Sequence, residues 1–115
     1  MRLPLQITAR NFELTEALEE AIRRKADKLD QFSDNIVACR VVVDCPHRHH
    51  HKGALYNVTI DLSVPGHEFV VSHEPNEDLY VALRDAFDAA RRQLLDHLGR
   101  NKARARQAVM AEKID

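Results

Sequence analysis

Between Asn76 and Leu98 the residues Leu79, Ala82, Leu83, Ala86, Phe87, Ala90 and Leu94 recur at a helical period. At 100° per residue they gather on one broad side of a helix, and such a helix needs one apolar surface to cover. The stretch from Thr15 to about Phe32 reads the same way, with Leu14, Leu18, Ala21, Ile22, Leu29 and Phe32 as its stripe and Glu16, Glu19 and Glu20 in its first turns. Elsewhere the apolar period falls to two. Leu3, Leu5 and Ile7 alternate with Pro4, Gln6 and Thr8. Val37 to Cys45 and Tyr56 to Val64 alternate in the same manner, and Phe69 and Val71 face one way within His67 to His73. Pro65-Gly66 closes a hairpin, proline fixing φ at the first central position and glycine permitting a positive φ at the second.

The resulting order is β-α-β-β-β-α. Each strand has one apolar side and each helix one stripe, so both helices must cover the same face of one sheet. This predicts an α+β fold: a four-stranded mixed sheet with two helices packed on one face. The first helix should form a right-handed crossover between parallel strands, and the remaining pairs should be antiparallel. Locally, Asn76 is the expected N-cap of the second helix, with Glu77 and Asp78 placed favourably at the positive end of its dipole. Gly99 is a natural stop, beyond which an Ala- and Arg-rich sequence could resume the helix. Thr15 opens the first helix, with Leu18 standing where a capping box would need Glu or Gln.

With 115 residues there is room for one domain, read as an α+β body over residues 1–98 and a basic, partly helical or disordered tail over 99–115. No apolar run approaches the ~20 residues that cross a bilayer, and Met1-Arg2-Leu3-Pro4-Leu5 lacks the apolar core of a signal peptide. A cytoplasmic protein without a membrane partner is expected. Net charge is −1, from 17 Lys and Arg against 18 Asp and Glu. Any affinity for a polyanion must therefore come from where the cations lie, not from their sum. Arg24, Lys25 and Lys28 form a row at i, i+1 and i+4 on the first helix, where snorkelling of Lys25 over the core is the bland alternative. Arg84 and Arg91 share a flank of the second helix, with Arg92 beside them. Helices side by side would pool these six cations, and Arg100, Lys102, Arg104 and Arg106 in the tail could prolong the track.

Candidates for chemistry are few. The run Cys45-Pro46-His47-Arg48-His49-His50-His51-Lys52-Gly53 contains metal-ligating types, making His47, His49, His50 and His51 weak metal candidates. Adjacent histidines converge poorly on one tetrahedral centre, and no acidic general base is spaced with them. A solvated, softly basic hairpin loop is the expectation. Cys39 and Cys45 share strand parity but lie about 20 Å apart along an extended chain, too far for a disulfide, and read as packing residues. Asp85, Asp88 and Asp96 spread around the exposed side of their helix and read as solubilising partners of arginine. With no phosphate loop and no nucleophile elbow, no enzyme, cofactor or small-molecule substrate is expected.

The segments Leu5-Gln6-Ile7-Thr8, Leu14-Thr15-Glu16-Ala17-Leu18, Lys25-Ala26-Asp27-Lys28-Leu29, Glu77-Asp78-Leu79-Tyr80-Val81-Ala82-Leu83 and Arg92-Gln93-Leu94, in this order and spacing over residues 3–98, resemble the ribosome hibernation-promoting factors and ribosome-associated translation inhibitors, also labelled sigma-54 modulation proteins. The resemblance implies the β-α-β-β-β-α fold and a non-enzymatic protein that binds the small ribosomal subunit and its rRNA in stress or stationary phase. Such a protein occupies the channel of messenger and transfer RNA. It also implies that Lys25, Lys28 and Arg92 match basic family positions, whereas Arg24, Arg84 and Arg91 come from helical geometry. The chain looks like a short form. It departs from the family in carrying Ala89, Asp96 and Leu98 where several members have lysines, and in its longer, histidine-rich loop. The alternatives are a protein-interaction module modulating transcription, docking through Val81 and Leu95, and a metal-binding protein using the histidine loop.

Overall fold

The computed structural model describes residues 4–32, 36–45, 55–72 and 75–113, and over 101–113 it describes the course of the helix alone. Strands β1 (Leu5–Arg10), β2 (Ala38–Asp44), β3 (Asn57–Val64) and β4 (His67–Ser72) form one sheet in sequence order. Helix α1 (Glu16–Phe32) lies between β1 and β2, and α2 (Leu79–Lys113) follows β4. β1 pairs parallel with β2, and the other two pairings are antiparallel, as the pattern predicts.

The register turns the period of two into continuous apolar rows. Leu5, Cys39, Leu62 and Phe69 stand in line across the four strands, as do Ile7, Val41, Ile60 and Val71. Because residues opposite one another share a face, this side of the sheet is apolar. Leu18, Ile22, Ala26 and Leu29 of α1 and Ala82, Leu83, Ala86, Phe87, Ala90 and Leu94 of α2 close over it as one buried core. α2 lies over β3 and β4, α1 lies over β1, and the two helices touch each other. The opposite face carries Gln6, Arg40, Asp61 and Val70 in another row, open to solvent except that one oxygen of Asp61 is enclosed without a hydrogen-bond partner.

Turns and caps follow local chemistry. Gly66 has φ 77° in the Pro65-Gly66 turn, and Asn11, a residue that tolerates the left-handed region, has φ 67°. The Asn11 amide donates to the Asp44 carboxylate at 2.7 Å, tying the end of β1 to the end of β2. Thr15 Oγ1 accepts from the Leu18 amide at 3.2 Å, opening α1 as expected. Across the sheet's far edge, His97 of α2 stacks on His67 of β4 with ring centroids 5.1 Å apart.

Three local expectations are corrected. The cap of α2 is Asp78, whose Oδ1 accepts from Tyr80 and Val81, because Asn76 is held extended by a backbone bridge to Tyr56 and bonds the Asp78 amide instead. Gly99 does not stop the helix: α2 runs through it to Lys113, since no left-handed residue there terminates the hydrogen-bond ladder. Phe32 does not belong to the core. It is 44% exposed at the last turn of α1, and Ala26 takes a core position instead.

Cys39 and Cys45 are buried free thiols, in line with a packing role. The Cys39 thiol is pushed up to about 12 from an ordinary 9.0, by burial and then by the charge of Asp61. Below the ordinary value the thiol is protonated in folded and unfolded chains alike. Above it the unfolded chain releases a proton that the folded chain keeps, so stability falls as pH rises from about 9 towards 12. Urea unfolding across this range is expected to show a shallower alkaline decline in Cys39→Val than in the native protein. The cap assignment makes a separate prediction: Asp78→Ala loses about 1 kcal/mol of unfolding free energy, and Asn76→Ala loses less.

Candidate functional site

A sheet with one apolar face leaves its two helices no choice but to lie together, and their facing flanks enclose a groove of about 320 Å³. α1 contributes Lys25, Lys28, Leu29, Gln31 and Phe32, and α2 contributes Phe87, Asp88 and Arg91. Leu29 and Phe87 are core residues whose edges form the floor. Lys25 is half-buried, its methylenes against that floor, while Lys28 and Arg91 are exposed. The Arg91 guanidinium carbon stands 5.9 Å from the centre of the Phe32 ring, within reach of a cation–π contact.

The groove is unneutralised. Among the described residues, Lys25, Lys28, Arg91 and Asp88 form no ion pair, although Asp88 sits one helical turn from both Arg84 and Arg91. Three cations and one carboxylate therefore meet around an apolar floor. The other openings have a different character. A cleft of about 760 Å³ beside the starts of both helices is lined by Phe12, Tyr56 and Tyr80 with Glu13, Glu77 and Asp78, and by no cation. The hollow on the open sheet face sets Arg40 against Asp61 and Glu68. Only the interhelical groove offers a polyanion a net positive surface among these openings.

Of the six cations expected from sequence to act together, the structure brings Lys25, Lys28 and Arg91 into the groove. Arg24 and Arg92 are exposed and lie outside its lining, each one residue and hence about 100° around the helix from a lining cation. Arg84 lies two turns before Arg91 on the same flank but holds Asp85, with Nη2 3.2 Å from Oδ1 and both side chains accessible. Gln31, Phe32 and Asp88 line the groove without having been assigned to it from sequence, and Asp88, read there as a partner of arginine, forms no ion pair among the described residues. Phe32 was hidden by its fit to the apolar stripe, and the only signal for Asp88 was its position between Arg84 and Arg91. Among the described residues no cluster of three His, Cys, Asp or Glu has the arrangement of a metal site, and His47, His49, His50 and His51 lie outside the described residues. Val81 is half-buried and Leu95 is 43% exposed, and 14 residues of helix set them about 21 Å apart, so they do not form one apolar patch.

Residues 5–102 match the sequence model of the family described as Sigma 54 modulation protein / S30EA ribosomal protein. The chain belongs to that family. It is similar to the ribosome hibernation promoting factor of Escherichia coli strain K12, 36% identical over 95 residues, which are 83% of this chain and 93% of that protein. It is also similar to the ribosome hibernation promotion factor of Deinococcus radiodurans, 32% identical over 89 residues, covering 77% of this chain and 46% of the longer relative. Among solved structures, the N-terminal domain of Thermus thermophilus Protein Y superposes with a TM-score of 0.66 at 26% identity, covering 81% of this chain and 94% of that one. A ribosomal subunit interface protein from Coxiella burnetii shares the fold at a TM-score of 0.73 and 15% identity, covering 84% and 99%. No described helix of this family member is long and apolar enough to cross a membrane.

Clustered like charges without counter-charges oppose folding. The double variant Lys25→Gln/Lys28→Gln is accordingly expected to unfold at the same or a slightly higher temperature than the native protein. Its advantage should be larger at low salt than at 0.5 M salt, as thermal unfolding at the two ionic strengths would register.

Proposed function

We propose that this protein is a ribosome hibernation factor. It docks on the small ribosomal subunit under stress or in stationary phase, occupies the path of messenger and transfer RNA, and holds the ribosome idle. The observation that carries this reading is the unneutralised groove of Lys25, Lys28 and Arg91 on a molecule whose net charge is −1. Membership of the family and the names of the E. coli and D. radiodurans relatives support the ribosome as partner.

Physically, the protein acts as a plug. Phosphate contacts position a protein on RNA without reading bases, and a folded body set between helices of ribosomal RNA excludes ligands that need the same space. Lys25, Lys28 and Arg91 supply the central contacts. Arg24 and Arg92, exposed beside them, extend the contact to neighbouring phosphates, and Arg84 joins when an RNA phosphate displaces Asp85. An exposed ion pair is worth little in water, so that exchange costs little. The protein works in the cytoplasm by occupancy, with no bond made or broken, no cofactor and no small-molecule substrate.

Sedimentation tests the reading. The native protein is expected to travel with small subunits and whole ribosomes at low salt. Lys25→Gln/Lys28→Gln, folded by the criterion above, should bind more weakly, with a log–log salt dependence flatter by about 0.7 to 0.9 per lysine removed. A native protein that stays at the top of the gradient at low salt would sink the proposal, and an unchanged salt slope would remove the two lysines from the contact.

A further inference from the structure

A surface built for phosphates alone needs cations and nothing else. The groove between α1 and α2 has more than that. Its wall is an aromatic ring 44% exposed to solvent, its floor is apolar, and a carboxylate faces its three cations without an ion pair among the described residues. Phe32 leaves nearly half of its surface in water, which costs part of what its burial could contribute, and Asp88 repels the phosphates that the neighbouring cations attract. Neither is accounted for by backbone binding.

We propose that the groove receives one unpaired RNA nucleotide. Its base stacks on Phe32 beside the Arg91 guanidinium, its flanking phosphates rest on Lys25 and Lys28, and Asp88 accepts a hydrogen bond from the base. The inference rests on the ribosome-binding reading and deepens it by naming what enters this site. At about 320 Å³ the groove falls at the small end of the ~300–1,000 Å³ clefts that hold small organic ligands. Bases inside a duplex have their faces covered and cannot enter. A base splayed from a loop or bulge presents a π-face, which aromatic rings and guanidinium planes accept with little regard to its identity. The identity enters through Asp88. A carboxylate accepts from an exocyclic amino group, so cytosine, with its N4 donors, is favoured over uracil, whose carbonyl at the same ring position is repelled. The site thus prefers an unpaired, amino-bearing base, a specificity that a set of lysines could not supply.

The chain contains no tryptophan, so Phe32→Trp introduces a single indole at the stacking position. Its fluorescence is expected to be quenched saturably by pentacytidylate and left unchanged by inorganic polyphosphate of similar charge. Phe32→Leu, at an exposed position, should weaken pentacytidylate about tenfold while leaving polyphosphate affinity and the salt slope as they were. The native protein should bind pentacytidylate more tightly than pentauridylate, and Asp88→Asn, which offers a donor as well as an acceptor, should erase the difference. The stacking proposal is overturned by an unquenched indole, or by a Phe32→Leu variant that binds both probes like the native protein or loses both equally. Equal native affinities for the two pentanucleotides overturn the role given to Asp88. Failure here is separable from failure of the ribosome reading: a native protein that sediments with ribosomes but gives no quenching keeps the reading and loses the stacked base, and one that quenches without sedimenting does the reverse.

Discussion

The sheet has one apolar face, and the rest of the molecule depends on that. Rows such as Leu5, Cys39, Leu62, Phe69 and Ile7, Val41, Ile60, Val71 place their side chains on one side of four strands. Four strands spaced about 4.8 Å apart make a surface roughly 15 Å wide between outer backbones, and helices pack about 8–10 Å apart. Two helices cover such a face, and they do so only by lying against each other. The groove between their flanks is therefore a by-product of burying the core. Its lining is not: a flank residue such as Lys25 or Arg91 contributes little to the core, so its chemistry is free to serve something else.

That freedom explains how a chain of net charge −1 can present a cationic site. The carboxylates Glu13, Glu77 and Asp78 sit in the cleft beside the starts of the helices, where Asp78 caps α2 and the helix dipoles favour negative charge. Lys25, Lys28 and Arg91 sit in the groove beside the later turns of α1. At physiological salt a charge is felt over about 8 Å, so a ligand in the groove senses the lining cations and Asp88 first, with Asp27 and Asp30 of α1 as the nearby carboxylates outside the lining.

The same division explains what could be read from the residues and what could not. The core was legible because burial repeats: every apolar position of α2 from Leu79 to Leu94 named from its period is buried or packed against the core, and the pairing directions followed from the helical crossover and the hairpin turn. Local features that a tertiary contact decides were not legible. Asn76 and Asp78 are both good caps, and the choice fell to Asp78 because Tyr56 draws Asn76 into a bridge. Gly99 is a poor helix residue, yet with helix on both sides and no left-handed turn it is simply passed through. In the groove, cation type and helical phase were enough to bring Lys25, Lys28 and Arg91 together. They did not distinguish these from Arg24 and Arg92, because one residue of phase, 100°, separates lining from rim. Phe32 fitted the apolar stripe in period but, as the last residue of α1, is 44% exposed, since a stripe says nothing about what lies beneath its final turn.

The interhelical groove also gathers several small energetic conflicts. A half-buried lysine over apolar floor, an exposed phenylalanine, an arginine beside it and a carboxylate that forms no ion pair among the described residues are each small departures from what folding alone would select. Scattered over a surface, they would be ordinary. Here they line one groove, above Leu29 and Phe87, which belong to a fully satisfied core. A well-packed core can carry such departures next to it because the stability lost at the rim is small beside what burial contributes beneath. Leu29 and Phe87 give the groove a buried, fixed floor, whereas Lys28 and Arg91 are exposed and become ordered only at the cost of side-chain freedom when a ligand binds. The same packing that made the groove unavoidable thus fixes its floor and leaves its rim adaptable.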